Sequence, residues 1–494
     1  MKTQTKSMGC TLVASSDAAI ARHLFEGELS GLIYDEGSFW LYERTHWQAI
    51  STEAIQCIAM RYDQQKVSGD TINLSKGRLS SIAECLRLLA MRPGFFEELP
   101  RGINCASGFI SFGEDSTPTL LNHSLEHKQR HVLPGEWNEN SGPVQIPETS
   151  ILWKLLDGCF PEGGEARDPE ATEKYAWGQE IAGCAAIGAG TQYAKAILLH
   201  GPQANNGKSQ FLDMVRGLLP DSAISEVSPR NFGKDHHLIG LVGALLNASD
   251  EVGAASAIMS EIFKQVIDGN LIRVADKYEK ATRFRPTALH IFSCNRLPKF
   301  GGEMDRGVRR RLAVFQFDRV IPDHEQIKNI GLRIAREEAD MLLAWAVEGA
   351  QRLLANNGFT LPESSREAVN EWGYLSDPVQ AFVADCVRPA PQVVGEDRMP
   401  KKPKLIRYKE IRDKFAQYLM KTGRDMGGRF EPGMDSVIQR LRENLPRGAY
   451  RDRDNTGWGF RGIKLVDPPQ DEPSKGDNDV PTLGEVVTLQ AIVS

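Results

Sequence analysis

A chain of 494 residues is long enough for several hydrophobic cores, and 41% apolar with 25% charged residues is the balance of an ordinary globular protein. A formal net charge of −6 excludes a protein that coats nucleic acid over its whole surface, while leaving room for local basic patches. No apolar run approaches the ~20 residues of a membrane span, and the Ser- and Thr-broken start, Met1 to Ser16, argues against a signal peptide. The eight cysteines are scattered with no Cys-x-x-Cys pair, which argues against a zinc site or disulfide scaffold and fits a reducing cytoplasm.

Residues 1–150 mix short strands and helices, an α+β pattern. Leu32 to Tyr42 reads as a hairpin around an acidic-Gly turn, and Ile103 to Phe112 as a second strand pair broken at Gly108. His123, His127 and His131 fall four apart, but Pro134 and the polar surroundings point to a loop edge rather than a metal-binding helix face. Residues 151–194 read as helical, with Trp153, Leu155, Leu156 and Phe160 on one face.

Residues 195–325 alternate strands and helices, as an α/β nucleotide-binding domain does. The strand Ala196 to His200 runs into Gly201-Pro202-Gln203-Ala204-Asn205-Asn206-Gly207-Lys208-Ser209 and then a helix, Gln210 to Leu219. Strand, Gly-rich loop, Lys-Ser and helix form a P-loop, whose backbone N–H groups and helix N-terminus cradle a polyphosphate. Gly201, Asn206, Gly207, Lys208, Ser209 and Gln210 are the nucleotide-binding candidates, with Lys208 on the β- and γ-phosphates and Ser209 on Mg²⁺. Pro202 to Asn206 separate the two glycines, one residue more than the usual pattern.

A P-loop ATPase also needs carboxylates at the end of a second buried strand. The apolar run Leu241 to Asn247 ends in Ser249-Asp250-Glu251, which nominates Asp250 for the metal and Glu251 for orienting water. Ile258, Ile262 and Val266 mark a buried helix face. Gly269 to Lys280 reads as a hairpin with a charged tip. Thr287 to Ser293 is a buried strand ending at Cys294-Asn295, where Asn295 is positioned to sense a γ-phosphate. Arg306, Arg309, Arg310 and Arg311 precede a strand, Ala313 to Phe317, and include candidates for an arginine finger.

A helical extension spans 326–387, with one long helix from about Ile330 to Leu354 stopped by Asn357-Gly358 and Pro362. Residues 388–404 contain four prolines and read as a linker. Residues 398–464 hold 18 Lys plus Arg against 8 Asp plus Glu, a net of +10. Within 405–466 the pattern is two helices, Arg407 to Lys421 and Met434 to Asn444, then a hairpin, Tyr450 to Ile463. Arg440, Arg442, Arg451 and Arg453 are its DNA-contact candidates. The tail 467–494 is acidic and Pro-rich, the composition of a disordered segment.

The order P-loop, Asp-Glu, basic hairpin, Asn-Arg-Leu-Pro (Asn295 to Pro298) and Arg-Arg-Leu (Arg310 to Leu312) resembles the superfamily 3 helicases. Within them it is most similar to the phage and plasmid primase–helicase group with its poxvirus relatives. The resemblance covers about 195–320, and more weakly Ile103-Asn104 to Ser111-Phe112. It implies an AAA+-like P-loop ATPase core, an α+β N-terminal domain and a C-terminal winged-helix-like domain. It also implies a hexameric ring with ATP between subunits, Arg310 or Arg311 acting in trans, and 3′→5′ movement on single-stranded DNA. The hairpins would line the channel, with Lys277 and Lys280 on phosphates and Tyr278 on sugar or base. Many relatives carry a primase domain in front; the stretch before Ile151 is too short for one, so a separate primase or an origin-binding protein is the expected partner. Two rivals remain: a DNA-stimulated loader or clamp that unwinds nothing, and a non-catalytic origin-binding protein with a decayed P-loop.

Overall fold

The computed structural model describes residues 12–164, 166–250, 257–274, 282–298, 300–301, 304–391, 393–394, 400–422 and 434–468. The chain divides into two units, Met1–Ser376 and Asp377–Ser494.

The first unit opens with α1 (Asp17–Glu26) and an antiparallel meander of β1 (Ile33–Asp35), β2 (Ser38–Glu43) and β3 (His46–Ile50). Glu36 and Gly37 both take positive φ in the first turn, as the acidic-Gly pair predicts. Helix α2 (Thr52–Ala59), the ladder β4 (Lys66–Val67) with β5 (Asp70–Thr71), and α3 (Lys76–Ala90) complete a self-contained core of Ile20, Leu24, Phe39, Ile55, Ile82 and Leu86. The next sheet, β6 (Gly102–Cys105), β7 (Gly108–Phe112) and β8 (Pro118–Leu121), belongs elsewhere. Ile103, Ile110 and Phe112 join the main core of the unit, so the cores change over before 102 rather than at 150. Asn104 knits this region together: buried, it donates to Thr45 O (3.0 Å) and His131 O (2.8 Å), and its Oδ1 lies 2.9 Å from His123 Nδ1.

After α4 (Ile151–Cys159) and α5 (Ala171–Ala186) come β9 (Ala196–His200), α6 (Lys208–Gly217), β10 (Ile224–Ser225), α7 (Asp235–Leu238) and β11 (Leu246–Ser249). Then follow β12 (Ile258–Met259), α8 (Ser260–Ile267), the hairpin strands β13 (Ile272–Val274) and β14 (Thr282–Phe284), β15 (Leu289–Cys294), β16 (Phe300–Gly301), α9 (Arg306–Arg309) and β17 (Leu312–Gln316). Five of these strands form a parallel sheet in the order β10-β11-β15-β9-β17. Ile197, Leu199, Ile291, Ala313 and Phe315 pack into one core, and Ala196, Leu198, Phe292 and Val314 into another. Burial on both faces is why these strands read as unbroken apolar runs. Its edges are closed: β10 is two residues long, and the outward N–H of Val314 in β17 is taken by the buried Ser365 Oγ at 3.1 Å.

Ser365 lies on α12 (Glu363–Ser376), which follows α10 (Ile330–Glu337) and α11 (Ala339–Asn356). The single long helix expected over 330–354 is broken at Glu338, which leaves helical geometry at φ −131°. Its carboxylate accepts from Ile151 N (2.7 Å) and Leu152 N (2.8 Å), capping the first turn of α4.

The second unit contains α13 (Pro378–Cys386), β18 (Val387–Pro389), β19 (Val393–Val394), β20 (Pro400–Lys401), β21 (Ile406–Arg407), α14 (Tyr408–Thr422) and α15 (Met434–Asn444). It ends with β22 (Tyr450–Asp454), β23 (Gly457–Arg461) and β24 (Ile463–Leu465). Three strands pair in the order β21-β23-β22, and Phe382, Phe415, Tyr418, Leu441 and Phe460 are buried. The stretch read as a linker instead carries ladders, β18 with β24 and β19 with β20. Helix α13, expected within the preceding extension, belongs to this unit. The tail from 469 on lies outside the described residues.

Candidate functional site

Strand β9 ends at His200, and the loop after it folds on five hydrogen bonds. Lys208 Nζ, buried, donates to Gly201 O at 2.7 Å and to Asn206 Oδ1 at 3.0 Å. Asn206 Nδ2 donates to Gln203 O (2.8 Å) and to Phe317 O (3.3 Å), just beyond β17. Ile321 N donates to Asn205 O at 2.8 Å, a second tie to the same exit segment. Burial pushes the Lys208 amine below its ordinary pKa, opposed by the nearby Cys294. The same burial raises Cys294 to about 12, with Lys208 pulling it back.

Both loop glycines are forced by contact. A Cβ at Gly201 would lie 2.2 Å from Asn206 Nδ2 and 2.7 Å from Phe317 O. At Gly207, which is in left-handed conformation at φ 86°, it would lie 2.2 Å from Cys159 Sγ. The extra loop residue therefore leaves Gly201 with a defined role. Gly207 caps α6 with no side chain of its own, and the Lys208 N–H at the start of the helix lies 3.5 Å from Asn206 Oδ1. Ser209 is exposed on the first turn. The Gln210 side chain turns away from the loop: its Oε1 accepts from Gly331 N at 3.2 Å and braces α10, so only its backbone can serve the nucleotide-binding role expected of it.

Register brings two further candidates to the same sheet edge. Cys294 pairs with His200, so Asn295, exposed, sits beside Gly201. Ser249 pairs with Phe292 and Phe292 with Leu198, so Asp250 follows at the carboxyl end of β11. Asp250 is bound to Arg216 on α6, 2.9 Å from Nη1, and Arg216 also donates to Ala248 O at 3.1 Å. Sequence reading missed Arg216. The signal was its place with Ser209 and Asp213 on one stripe of α6, at helical spacing. Glu251 lies outside the described residues, as do Lys277, Tyr278 and Lys280.

Arg310 and Arg311 precede β17 and therefore lie at the opposite, amino edge of the sheet from the loop. Arg310 is exposed. Arg311 is buried, its Nε 2.6 Å from Asp268 Oδ1, its Nη2 on Asp268 Oδ2 and its Nη1 on Gly307 O. All three nitrogens of that guanidinium are bonded within its own chain, so Arg311 is held in place structurally, contrary to its expected role as a finger.

In the second unit the four arginines also separate. Arg440 is buried and bound to Asp377 Oδ1 at 2.5 Å, beside the N-terminus that Asp377 caps on α13. Its role is structural, contrary to the DNA-contact expectation. Arg442, Arg451 and Arg453 are exposed. Of the spaced histidines, His127 stacks on Phe109 (centroids 4.0 Å apart). His131 meets Ser222 Oγ (3.1 Å) and Gly243 O (2.9 Å), and burial lowers it to about 4. His123, His127 and His131 thus each have their own protein partner.

A family model described as a family of unknown function (DUF5906) matches residues 199–311, from the end of β9 to Arg311. No curated protein matches the chain. Among solved structures, two of the apo NrS-1 C-terminal region align with 90% and 92% of this chain and 99% and 100% of their own. Identity is 13% in each, with TM-scores of 0.39 and 0.40, a likeness too low to bear on function. No helix among the described residues is long and apolar enough to cross a membrane.

Proposed function

We propose that this chain is an ATP-dependent DNA helicase of the superfamily 3 type, built on an AAA+-like core and working as a hexameric ring. On this reading it moves 3′→5′ on one DNA strand during phage, prophage or plasmid replication in the bacterial cytoplasm, alongside a separate primase. One observation carries the proposal: a buried lysine seated in a glycine-forced loop, with Asp250 and Asn295 at the same carboxyl edge of a parallel sheet. That edge is where open α/β sheets bind ligands. In support of a winged-helix-like C-terminal domain, β21 precedes α14, and the hairpin β22–β23 follows α15 and pairs back onto β21.

A loop that closes on a buried lysine directly before the N-terminus of α6 suits a polyphosphate, and its two glycines let the backbone pack this closely. Bound Mg·ATP would supply the scissile phosphoanhydride and the divalent charge. Lys208 would hold phosphate oxygens in place of its two loop acceptors. Ser209 and Asp250 would offer hard oxygen ligands to the cation, Asp250 in exchange for Arg216. Glu251 would orient water, Asn295 would donate toward the γ-phosphate, and Arg310 would serve a neighbouring subunit's site. Catalysis here is positioning and charge stabilisation. The Arg216–Asp250 pair favours one second reading, an origin-binding protein whose P-loop no longer turns over, since it holds the metal-side carboxylate on a cation.

Strand displacement on forked DNA with ATP and Mg²⁺ tests this, with wild type beside Lys208→Ala. Unwinding by wild type and a loss of at least about a hundredfold in the variant are expected. Hydrolysis without unwinding replaces the helicase with a loader or clamp. Absence of hydrolysis by wild type leaves the second reading.

A further inference from the structure

The hairpin β22–β23 sorts its charges by face. Paired residues of an antiparallel ladder share a face. Tyr450 opposes Arg461, Asp452 opposes Gly459, and Asp454 opposes Gly457 on one side; Arg451 opposes Phe460 and Arg453 opposes Trp458 on the other. Both carboxylates lie on the first face and are consumed there. Asp452 Oδ2 binds Arg461 Nε at 2.6 Å. Asp454 Oδ1 accepts from Thr456 N (2.8 Å), Thr456 Oγ1 (2.5 Å) and Gly457 N (3.1 Å), and its Oδ2 lies 3.4 Å from Arg407. Those bonds hold both acids below the usual carboxylate range.

The second face has no carboxylate of the hairpin. At its base Phe460 is buried against Tyr408, ring centroids 5.4 Å apart. One pair nearer the tip, Trp458 is 42% exposed, although burying an indole is one of the more favourable steps available to a fold. The guanidinium carbons of Arg451 and Arg453 lie 4.1 Å and 5.6 Å from its ring centroid. Neither guanidinium meets a carboxylate among the described residues. A partly exposed indole with one arginine over its ring and a second beside it, neither neutralised by a carboxylate, matches a base flanked by phosphates. Reading duplex edges needs hydrogen-bonding groups entering a groove, and an indole held broadside by arginines is poorly suited to that.

We propose that Trp458, flanked by Arg451 and Arg453, is a stacking platform for an unpaired base of single-stranded DNA. The inference rests on the DNA-handling reading above and makes the wing a single-strand holder rather than a duplex reader.

The test uses the full chain without nucleotide. Affinity is read by fluorescence anisotropy for a labelled oligothymidylate and for the same sugar-phosphate strand lacking bases. The variants are Trp458→Leu, Trp458→Phe and the double variant Arg451→Gln/Arg453→Gln. Trp458→Leu is expected to weaken the base-bearing strand roughly 5- to 150-fold, the range of one base stack, and to leave the abasic strand within about twofold. Trp458→Phe restores most of the loss. The double variant weakens both strands and flattens the log–log salt dependence by about 1.4, the share of two single-strand phosphates. Photo-crosslinking from 5-iodouracil in the strand should map to Trp458 or its neighbours. Equal loss on both strands or none under Trp458→Leu, crosslinks confined elsewhere, or a preference for duplex lost in that variant overturns the platform. If the chain still unwinds forks, only this inference has failed; if it neither hydrolyses ATP nor binds DNA, the helicase reading has failed with it.

Discussion

The 201–209 loop and the β22–β23 hairpin both present cations, and they handle them in opposite ways. Lys208 is folded inward onto Gly201 O and Asn206 Oδ1, with burial lowering its pKa. Arg451 and Arg453 are turned outward along an exposed tryptophan. The first arrangement suits a small ligand that must displace water and fit one geometry; the second suits a flexible polymer met at the surface. The same division runs through adjacent arginines. Arg311 and Arg440 are buried in ion pairs, while Arg310 and Arg442 are exposed. Positive charge in the sequence therefore overstates the contact surface.

The sharpest way to break the inward arrangement is Gly201→Ala. Its Cβ would collide with Asn206 Nδ2 and Phe317 O, so the loop must move off the lysine. Phosphate-release assays should show ATP hydrolysis down by at least about a hundredfold. A variant retaining near-wild-type turnover would show that the close packing of the loop is dispensable.

The next largest effect separates the two neighbouring arginines. Arg311→Ala leaves Asp268 without its guanidinium and should cost about 3 kcal/mol of unfolding free energy in urea titrations. Arg310→Ala should leave the urea midpoint unchanged and, if the finger reading holds, lower hydrolysis only in the assembled form. Equal stability losses would erase the distinction.

A third test uses pH. Burial lowers His131 to about 4 and His290 to about 3. Asn247 Nδ2 donates to His290 Nδ1 at 3.1 Å, and His131 is held between Ser222 and Gly243. Both histidines titrate near 6.5 in the unfolded chain. Below that pH the unfolded chain takes up protons that the folded chain refuses. Stability is therefore complete above about 6.5 and falls with acid, by up to roughly 1.4 kcal/mol per pH unit for each histidine. Urea midpoints at pH 7, 6 and 5 check this, and His131→Asn should remove one share of the slope.

The smallest effect is at Asp250. Arg216→Gln releases Asp250 from a half-exposed ion pair. Pairs of this kind are worth about 0.2–1 kcal/mol, so the Mg²⁺ needed for half-maximal hydrolysis should fall by at most about fivefold. An unchanged requirement would mean that the pair does not compete with the cation.

Much of this arrangement was legible in the sequence because it is local. Apolar runs between turn residues gave β9, β15 and β17, and the acidic-Gly and Asp-Asn-Thr-Gly turns gave the hairpins at 33–43 and 450–461. What was not legible depends on partners distant in sequence. The 330–354 periodicity contains no breaker, yet the helix breaks at Glu338 because that carboxylate caps α4. Gln210 follows the Lys-Ser pair but serves α10. Arg311 and Arg440 look like surface charges until Asp268 and Asp377 fold against them. The prolines of 388–404 suggest a linker, but neighbouring residues pair with β24 and with each other.

The two ends of the parallel sheet carry a consequence for how copies of this chain can associate. An edge strand with free N–H and C=O groups invites another chain to add itself as the next strand, the usual route to open-ended aggregation. Here one edge is too short to template a partner, and on the other Ser365 occupies the central donor of β17. Growth of the sheet from chain to chain is blocked at both ends. Any association of such cores would then run through side-chain surfaces, which can close on themselves and stop at a fixed number.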